Sequence, residues 1–262
     1  MAGPDAVTSP YARPRQIHDP AECFFYHTMN LPGYGLVEGQ WDLREGVDAY
    51  FGGVDFAGKR VLEVGTASGF LCFHMERRGA EVVAFDLSEH QPWDVVPFAT
   101  ADLALVHEKR HDLLRRLNNG WWLTHRVLGS AAKVVYGSVY DIPLEIGAVD
   151  VATYGVVLLH VRDPFLALAN GLRLTRDTVV VTEIVGRPAP AERRATVEFV
   201  PDFRSGGPLD TWWFFTPEVI QAYVGVLGFE DSTVTFHRQR GIFGENEFFT
   251  VVAHRTNGRP EA

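Results

Sequence analysis

The chain has 262 residues, with 33 acidic and 24 basic side chains and a formal net charge of −9. Its 46% hydrophobic and 22% charged content excludes a largely disordered polymer, and the length is ample for a buried core. The acidic balance argues against a nucleic-acid binder, and two cysteines, Cys23 and Cys72, are too few for a disulfide framework or a cysteine zinc site.

In chain order, residues 1–22 read as a loose, proline-containing tail. The first twenty residues hold Pro4, Pro10, Pro14 and Pro20 and no apolar run, so neither a secretory signal nor a membrane anchor is expected there. The longest apolar stretch, Val149 to Val161, contains Asp150 and His160 and is too short to span a bilayer. Reduced thiols and no export signal point to the cytoplasm. Residues 23–57 are aromatic and glycine-rich without a clean period, as expected of an arm ordered by packing on something else. A short helix is expected over Gly46 to Phe56.

An alternation of strands and helices follows. Arg60–Gly65, Glu81–Asp86, Lys133–Gly137, Val149–Val157 and Asp177–Glu183 read as strands. Ser68–Arg78, Asp163–Leu174 and Thr216–Leu227 read as helices, with Asp163 as N-cap and Pro164 in the first turn. Phe229–His237 and Glu247–His254 are expected to close the chain as an antiparallel hairpin at one sheet edge. The pattern predicts an α/β fold: a doubly wound, Rossmann-like, mostly parallel sheet over residues 58–262, covered on both faces. Two insertions interrupt it. Residues 88–132 carry a predicted helix from Asp102 to Leu117, and residues 186–210 show no period.

The sharpest motif is Glu63-Val-Gly65-Thr66-Ala67-Ser68-Gly69, where a strand ends and a helix begins. Glycines there let the backbone approach a ligand, and the helix start offers free N–H groups. Asp86, with Leu87 after it, ends the next strand about twenty residues later, the spacing at which an acid holds a ribose diol.

The Glu-x-Gly-x-x-x-Gly pattern resembles motif I of class I S-adenosylmethionine-dependent methyltransferases, with Ala67 where that family carries a middle glycine. The resemblance covers roughly Gly58 to His254. It implies S-adenosylmethionine as cofactor, with Glu63, Gly65, Thr66, Ala67, Ser68 and Gly69 around its methionine part and Asp86 on the ribose. Ser138, Val139 and Tyr140 become alternative contacts to the adenine. The stretch Asp150 to Pro164 resembles motif IV, which implies a strand end facing the methyl group. Tyr154 is then a candidate to face the sulfonium, because an aromatic face favours a cation; a core tyrosine is the other reading.

His27-Thr-Met-Asn-Leu-Pro-Gly, Gly39-Gln-Trp-Asp-Leu-Arg44 and Leu159-His160-Val-Arg-Asp-Pro164 further resemble the branch of tRNA wobble-uridine carboxymethyltransferases. That resemblance implies an N-terminal arm folded over the active site. The tRNA enzymes have a tyrosine, used for a carboxylated cofactor, where this chain has Leu159. Plain S-adenosylmethionine is therefore expected, with methyl transfer to O, N or C of a small molecule of specialised metabolism; a tRNA- or RNA-modifying methyltransferase is the alternative reading.

His160 and His27 are the candidate bases. Tyr34, Trp41, Trp121, Trp122, Trp212 and Trp213 are candidates for a substrate wall or for packing of the insertions. Arg44, Arg162, Arg187 and Arg204 are candidates for an anionic group on the substrate, and Glu183 for a polar atom of it. No metal site is expected. A cofactor-binding protein without catalysis is the reading from outside the enzymes.

Overall fold

The computed structural model describes residues 9–186 and 194–256. An eight-stranded sheet forms the frame. Its parallel half contains β4 (Arg60–Val64), β5 (Glu81–Asp86), β6 (Lys133–Tyr136), β7 (Val149–Gly155) and β8 (Thr175–Ile184). The antiparallel half contains β11 (Asp231–Gly241), β12 (Gly244–His254) and the two-residue β3 (Trp41–Asp42). The order across the sheet is β3-β11-β12-β8-β7-β4-β5-β6. β4 lies at the reversal, flanked by β5 and β7, and the ends of β4, β5 and β7 form a crevice where such sheets take ligands. The doubly wound reading and the closing hairpin are both borne out. The hairpin is next to the edge, because β3 adds to it at Arg240 and Gly241.

Strand periodicity divides the core into two layers. Leu62, Val64, Val83, Phe85 and Ala152 pack beneath α4 (Pro164–Leu172) and α5 (Pro217–Val226). Val61, Val82, Ala84, Val134 and Val151 face α1 (Val47–Tyr50), α2 (Phe70–Arg77) and α3 (Leu103–Leu128).

Three expectations are corrected. The helix in the first insertion runs on to Leu128, so Trp121 and Trp122 are fully buried helical residues packed on the sheet and belong to no substrate wall. The short helix after Gly46 ends at Tyr50, and turns follow. Residues 9–22, expected as a loose tail, lie against the sheet edge at Tyr11 and Ala12 and against α3 from Ile17 on. The Ala12 amide donates to the Val134 carbonyl on β6 (2.8 Å), and Arg60 donates to the Tyr11 hydroxyl (3.2 Å). Edge β6 has unpaired backbone groups, and the segment satisfies one of them.

The arm begins with a small hairpin of β1 (Met29–Leu31) and β2 (Gly35–Val37). It is seated on α3: the Phe24 amide donates to the Arg116 carbonyl (2.9 Å), and Arg116 donates to the Cys23 carbonyl (3.1 Å). The second insertion adds β9 (Val197–Phe199), which pairs with β10 (Trp213–Phe215).

Candidate active site

The turn from β4 into α2 is built from left-handed backbone. Gly65, Ala67 and Gly69 have φ of +84°, +50° and +90°. A Cβ on Gly65 would strike Val157, and one on Gly69 would strike Phe73 and Trp121. The turn is thus clamped against the loop after β7 and against α3. Val156, in that loop, also has positive φ (+55°), a strained conformation for a β-branched residue. Two strained turns facing each other across strand ends are a recurrent mark of a ligand site.

Asp86 ties the crevice together. One carboxylate oxygen accepts from the Ala67 amide and the other from the Leu87 amide, both at 2.7 Å. Each oxygen keeps a further lone pair. Burial raises its pKa to about 6, although both amides pull the other way. Glu63 is 2% exposed, and neither carboxyl oxygen has a hydrogen-bond partner. Burial pushes it up to about 8. The Thr66 hydroxyl is likewise buried without a partner, whereas the Ser68 hydroxyl accepts the Tyr26 amide (3.0 Å). Orphaned polar groups of this kind, beside a helix start with free N–H groups, fit a zwitterionic amino-acid end of a ligand.

Past β6, the Ser138 hydroxyl accepts the Tyr140 amide (3.3 Å), and Val139 packs on the α4 and α5 side of the core. The Tyr140 hydroxyl donates to Asp94 and accepts the Asp163 amide (3.0 Å). Its hydroxyl thus braces Asp94 of the first insertion against the start of α4. Tyr154 is also corrected. It is fully buried under α4, its hydroxyl donates to the Ala167 carbonyl (3.2 Å), and it is a core residue that does not face a sulfonium. The alternation of β7 directs it away from the α2 face.

His160 ends a short 3-10 turn, Leu158–His160, just past β7. Its Nδ1 donates to the Asp210 carbonyl, which leaves Nε2 as the acceptor nitrogen. Burial lowers its pKa, so the ring is neutral near pH 7. Arg110 of α3 donates to the Asp210 carboxylate (2.5 Å) and lies over the Trp93 ring (4.4 Å). The two insertions therefore meet above His160. Glu183, at the end of β8, accepts the Leu158 amide (2.8 Å) and so holds the same turn; its other oxygen is buried and without a partner.

Trp212 and Trp213 are brackets in this roof. Trp212 donates to the Asp94 carbonyl (2.8 Å), and Trp213 donates to the Val161 carbonyl (3.1 Å). Arg162 is exposed, pairs with Asp94 (3.3 Å) and lies over Trp212 (5.5 Å). Trp41 donates to the Tyr26 hydroxyl (3.3 Å) and packs edge-on against Phe248, beside the end of β8.

Four candidates are not at the strand ends or not suited to their expected role. The Tyr34 hydroxyl donates to the His18 carbonyl and accepts from Arg126. Arg126 lies eight residues past Asn118, whose side chain donates to the Leu87 carbonyl, so Tyr34 sits about 12 Å further down α3. Arg44 is exposed, paired with Asp42 (2.7 Å), and lies across from Phe73 and Arg77 of α2, not at the strand ends. His27 is enclosed between Tyr26 and Phe70, and burial lowers its pKa to about 3, so it is a poor base. Arg204 is exposed against Phe203. Arg187 lies outside the described residues.

Sequence reasoning missed Tyr26, Trp93, Asp94, Arg110 and Asp210. They lie in aperiodic segments or on a long helix, with no spacing that announces them. It also missed Glu89, three residues past Asp86. Burial pushes Glu89 up, but Arg15 (2.8 Å) outweighs this and holds it at about 2.

Residues 40–231 match the model of a family described as a methyltransferase domain. The chain belongs to this methyltransferase domain family. No curated protein sequence matches it. Solved structures with the same fold include the N-terminal domain of EvdMO1 in the presence of SAH and D-fucose. That domain is 17% identical, over 87% of this chain and 90% of its own, with a TM-score of 0.56. Magnesium protoporphyrin IX methyltransferase (ChlM) from Synechocystis PCC 6803, with bound SAH, is 12% identical, over 81% and 83%, with a TM-score of 0.53. The expected methyltransferase class is thereby borne out, and the fold of this methyltransferase is theirs.

Proposed function

We propose that this methyltransferase moves the methyl group of S-adenosylmethionine to an oxygen or nitrogen of a small molecule, with His160 as general base. When bound, that cofactor supplies an electrophilic methyl on a sulfonium. Glu63, Thr66, Ser68 and the backbone of residues 65–69 would hold its amino-acid end, Asp86 its ribose, and the Ser138–Val139 segment its adenine. Methyl transfer is an in-line displacement, so the protein mainly orients the acceptor and removes its proton.

The observation that carries the base assignment is the His160–Asp210 hydrogen bond. It fixes the tautomer with a lone pair on Nε2, and it does so on the turn after β7. An acceptor O–H or N–H would pass its proton to Nε2 as its lone pair takes the methyl group, the methyl–sulfur bond breaking to leave S-adenosylhomocysteine, and Nε2 would then return the proton to solvent. Glu183 is a positioning residue here, because it holds the Leu158 amide of the same turn. Trp212 and Trp213 in the roof, with Trp41 beside the end of β8, suit a flat or apolar acceptor.

A small acceptor is favoured over tRNA, despite the resemblance to the wobble-uridine branch. The net charge is −9, Leu159 replaces the tyrosine of that branch, and Arg110 and Arg162 are both paired with aspartates. Phosphate contacts need unpaired cations. No helix among the described residues is long and apolar enough to cross a membrane. With Cys23 and Cys72 both free and buried, a cytoplasmic location is the reading we favour.

His160→Ala tests the mechanism. It is expected to lower turnover by about 10²–10⁴-fold with S-adenosylhomocysteine affinity near that of the parent. Turnover equal to the parent's would remove His160 from the reaction.

A further inference from the structure

A second concave site lies outside the crevice. It is a cavity of about 310 Å³ between β1, α2 and α3, within the size range of small-ligand pockets. Its floor is apolar, formed by Met29, Leu31, Phe70 and Phe73, all buried. Its rim carries Arg44 and Arg77, and no aspartate or glutamate lines it.

The α2 helix explains the arrangement. Leu71, Cys72 and Met75 are buried in the layer against the sheet. Phe70, Phe73, His74 and Arg77 fall at helical spacing and line the cavity as one stripe, from apolar to cationic. Arg44 faces this stripe from the arm and shares its charge with Asp42. Arg77 is exposed and makes no ion pair among the described residues. In a chain of net charge −9, an unpaired guanidinium above an apolar floor is a place for a negative group with an apolar body. His74 is neutral: burial and the guanidinium groups of Arg77 and Arg78 lower its pKa, against the pull of Asp48, which lies 3.8 Å from its Nε2 behind the cavity lining.

We propose that this cavity is a ligand site, separate from the methyl-transfer crevice, for an amphipathic carboxylate whose head pairs with Arg77 and Arg44 and whose hydrocarbon body lies on Phe70 and Phe73. One wall is β1, two residues past Tyr26 and His27, so an occupant ties the arm to the domain.

Calorimetry with 4-phenylbutyrate tests this, on protein saturated with S-adenosylhomocysteine, with 4-phenylbutan-1-ol as the uncharged probe. The carboxylate should bind one-to-one with the crevice filled. Arg77→Ala should weaken it about five- to tenfold, the size of one lost charge-assisted pair. The alcohol should bind both proteins alike. Arg77 is exposed, so the variant retains the fold. No binding of the carboxylate, equal affinity in Arg77→Ala, or loss of binding when the crevice is filled would each overturn the proposal.

Discussion

Asp86 has a dual position: it fastens the Ala67 and Leu87 amides and reaches the crevice where a ribose is expected. Asp86→Ala removes both the fastening and the diol contact. It should weaken S-adenosylhomocysteine at least tenfold, read by calorimetry, while Asp86→Asn, which keeps one acceptor, should lose less. Glu63 makes a prediction about pH. Its carboxyl is orphaned, and burial raises it from 4.5 to about 8. Glu183, buried likewise, also stands at about 8. The folded state therefore binds more protons than the unfolded state between these limits. The stability from the protonated groups is full below about 4.5 and is lost as pH rises through about 8. The ligand-free protein should melt at lower temperature at pH 8.5 than at pH 5.5. Glu63→Gln should reduce the loss of stability between pH 5.5 and pH 8.5 by more than ~1 kcal/mol, and flatten the slope of melting temperature against pH. A slope unchanged in the variant would show that Glu63 is ionised in the fold.

Among the elements, α3 carries the most consequences. Its 26 residues run from the roof over His160 to the foot of β6. Arg110 near its start binds Asp210, Asn118 holds the Leu87 carbonyl, and Gly120 lets the arm cross. A Cβ on Gly120 would lie 2.9 Å from the Phe24 carbonyl oxygen, a contact the arm cannot keep. Gly120→Leu adds helix propensity yet displaces the arm. The expected result is a helical protein whose chain becomes cleavable near residues 23–30 in limited proteolysis. Turnover should fall, because the Tyr26 amide loses Ser68 and its hydroxyl loses Trp41. The helix's length was hidden in the sequence because Asn118, Asn119 and Gly120 interrupt its apolar stripe with weak helix formers. Packing overrides that preference: all three are buried.

At the scale of the molecule, arm and insertions converge on the ends of β4, β7 and β8 and cover them. The His160–Asp210, Arg110–Asp210 and Trp212–Asp94 contacts link segments about 50 to 118 positions apart. A covered crevice suits a small acceptor that can be enclosed, and the acidic chain repels a polyanion. Tritium from labelled cofactor is accordingly expected in a small-metabolite extract and not in total RNA. Label found in RNA would restore the tRNA reading. Tight cofactor binding with transfer to neither pool would favour a protein that binds without catalysis.

By itself, the sequence determined the sheet, its mostly parallel winding and the turn from Glu63 to Gly69 with Asp86 across from it. These are local facts: strand period, glycine conformation and a fixed spacing along one βαβ unit. Tertiary structure decided which histidine is suited to act as a base: His160 has its Nδ1 fixed on the Asp210 carbonyl on the turn after β7, whereas His27 is buried among aromatic rings with its Nδ1 unpartnered. It also decided that Tyr154 is core, that Tyr34 is remote and that Tyr140 is a brace. Each of those depends on a partner far along the chain, and side-chain type carries no information about such partners until the backbone brings them together.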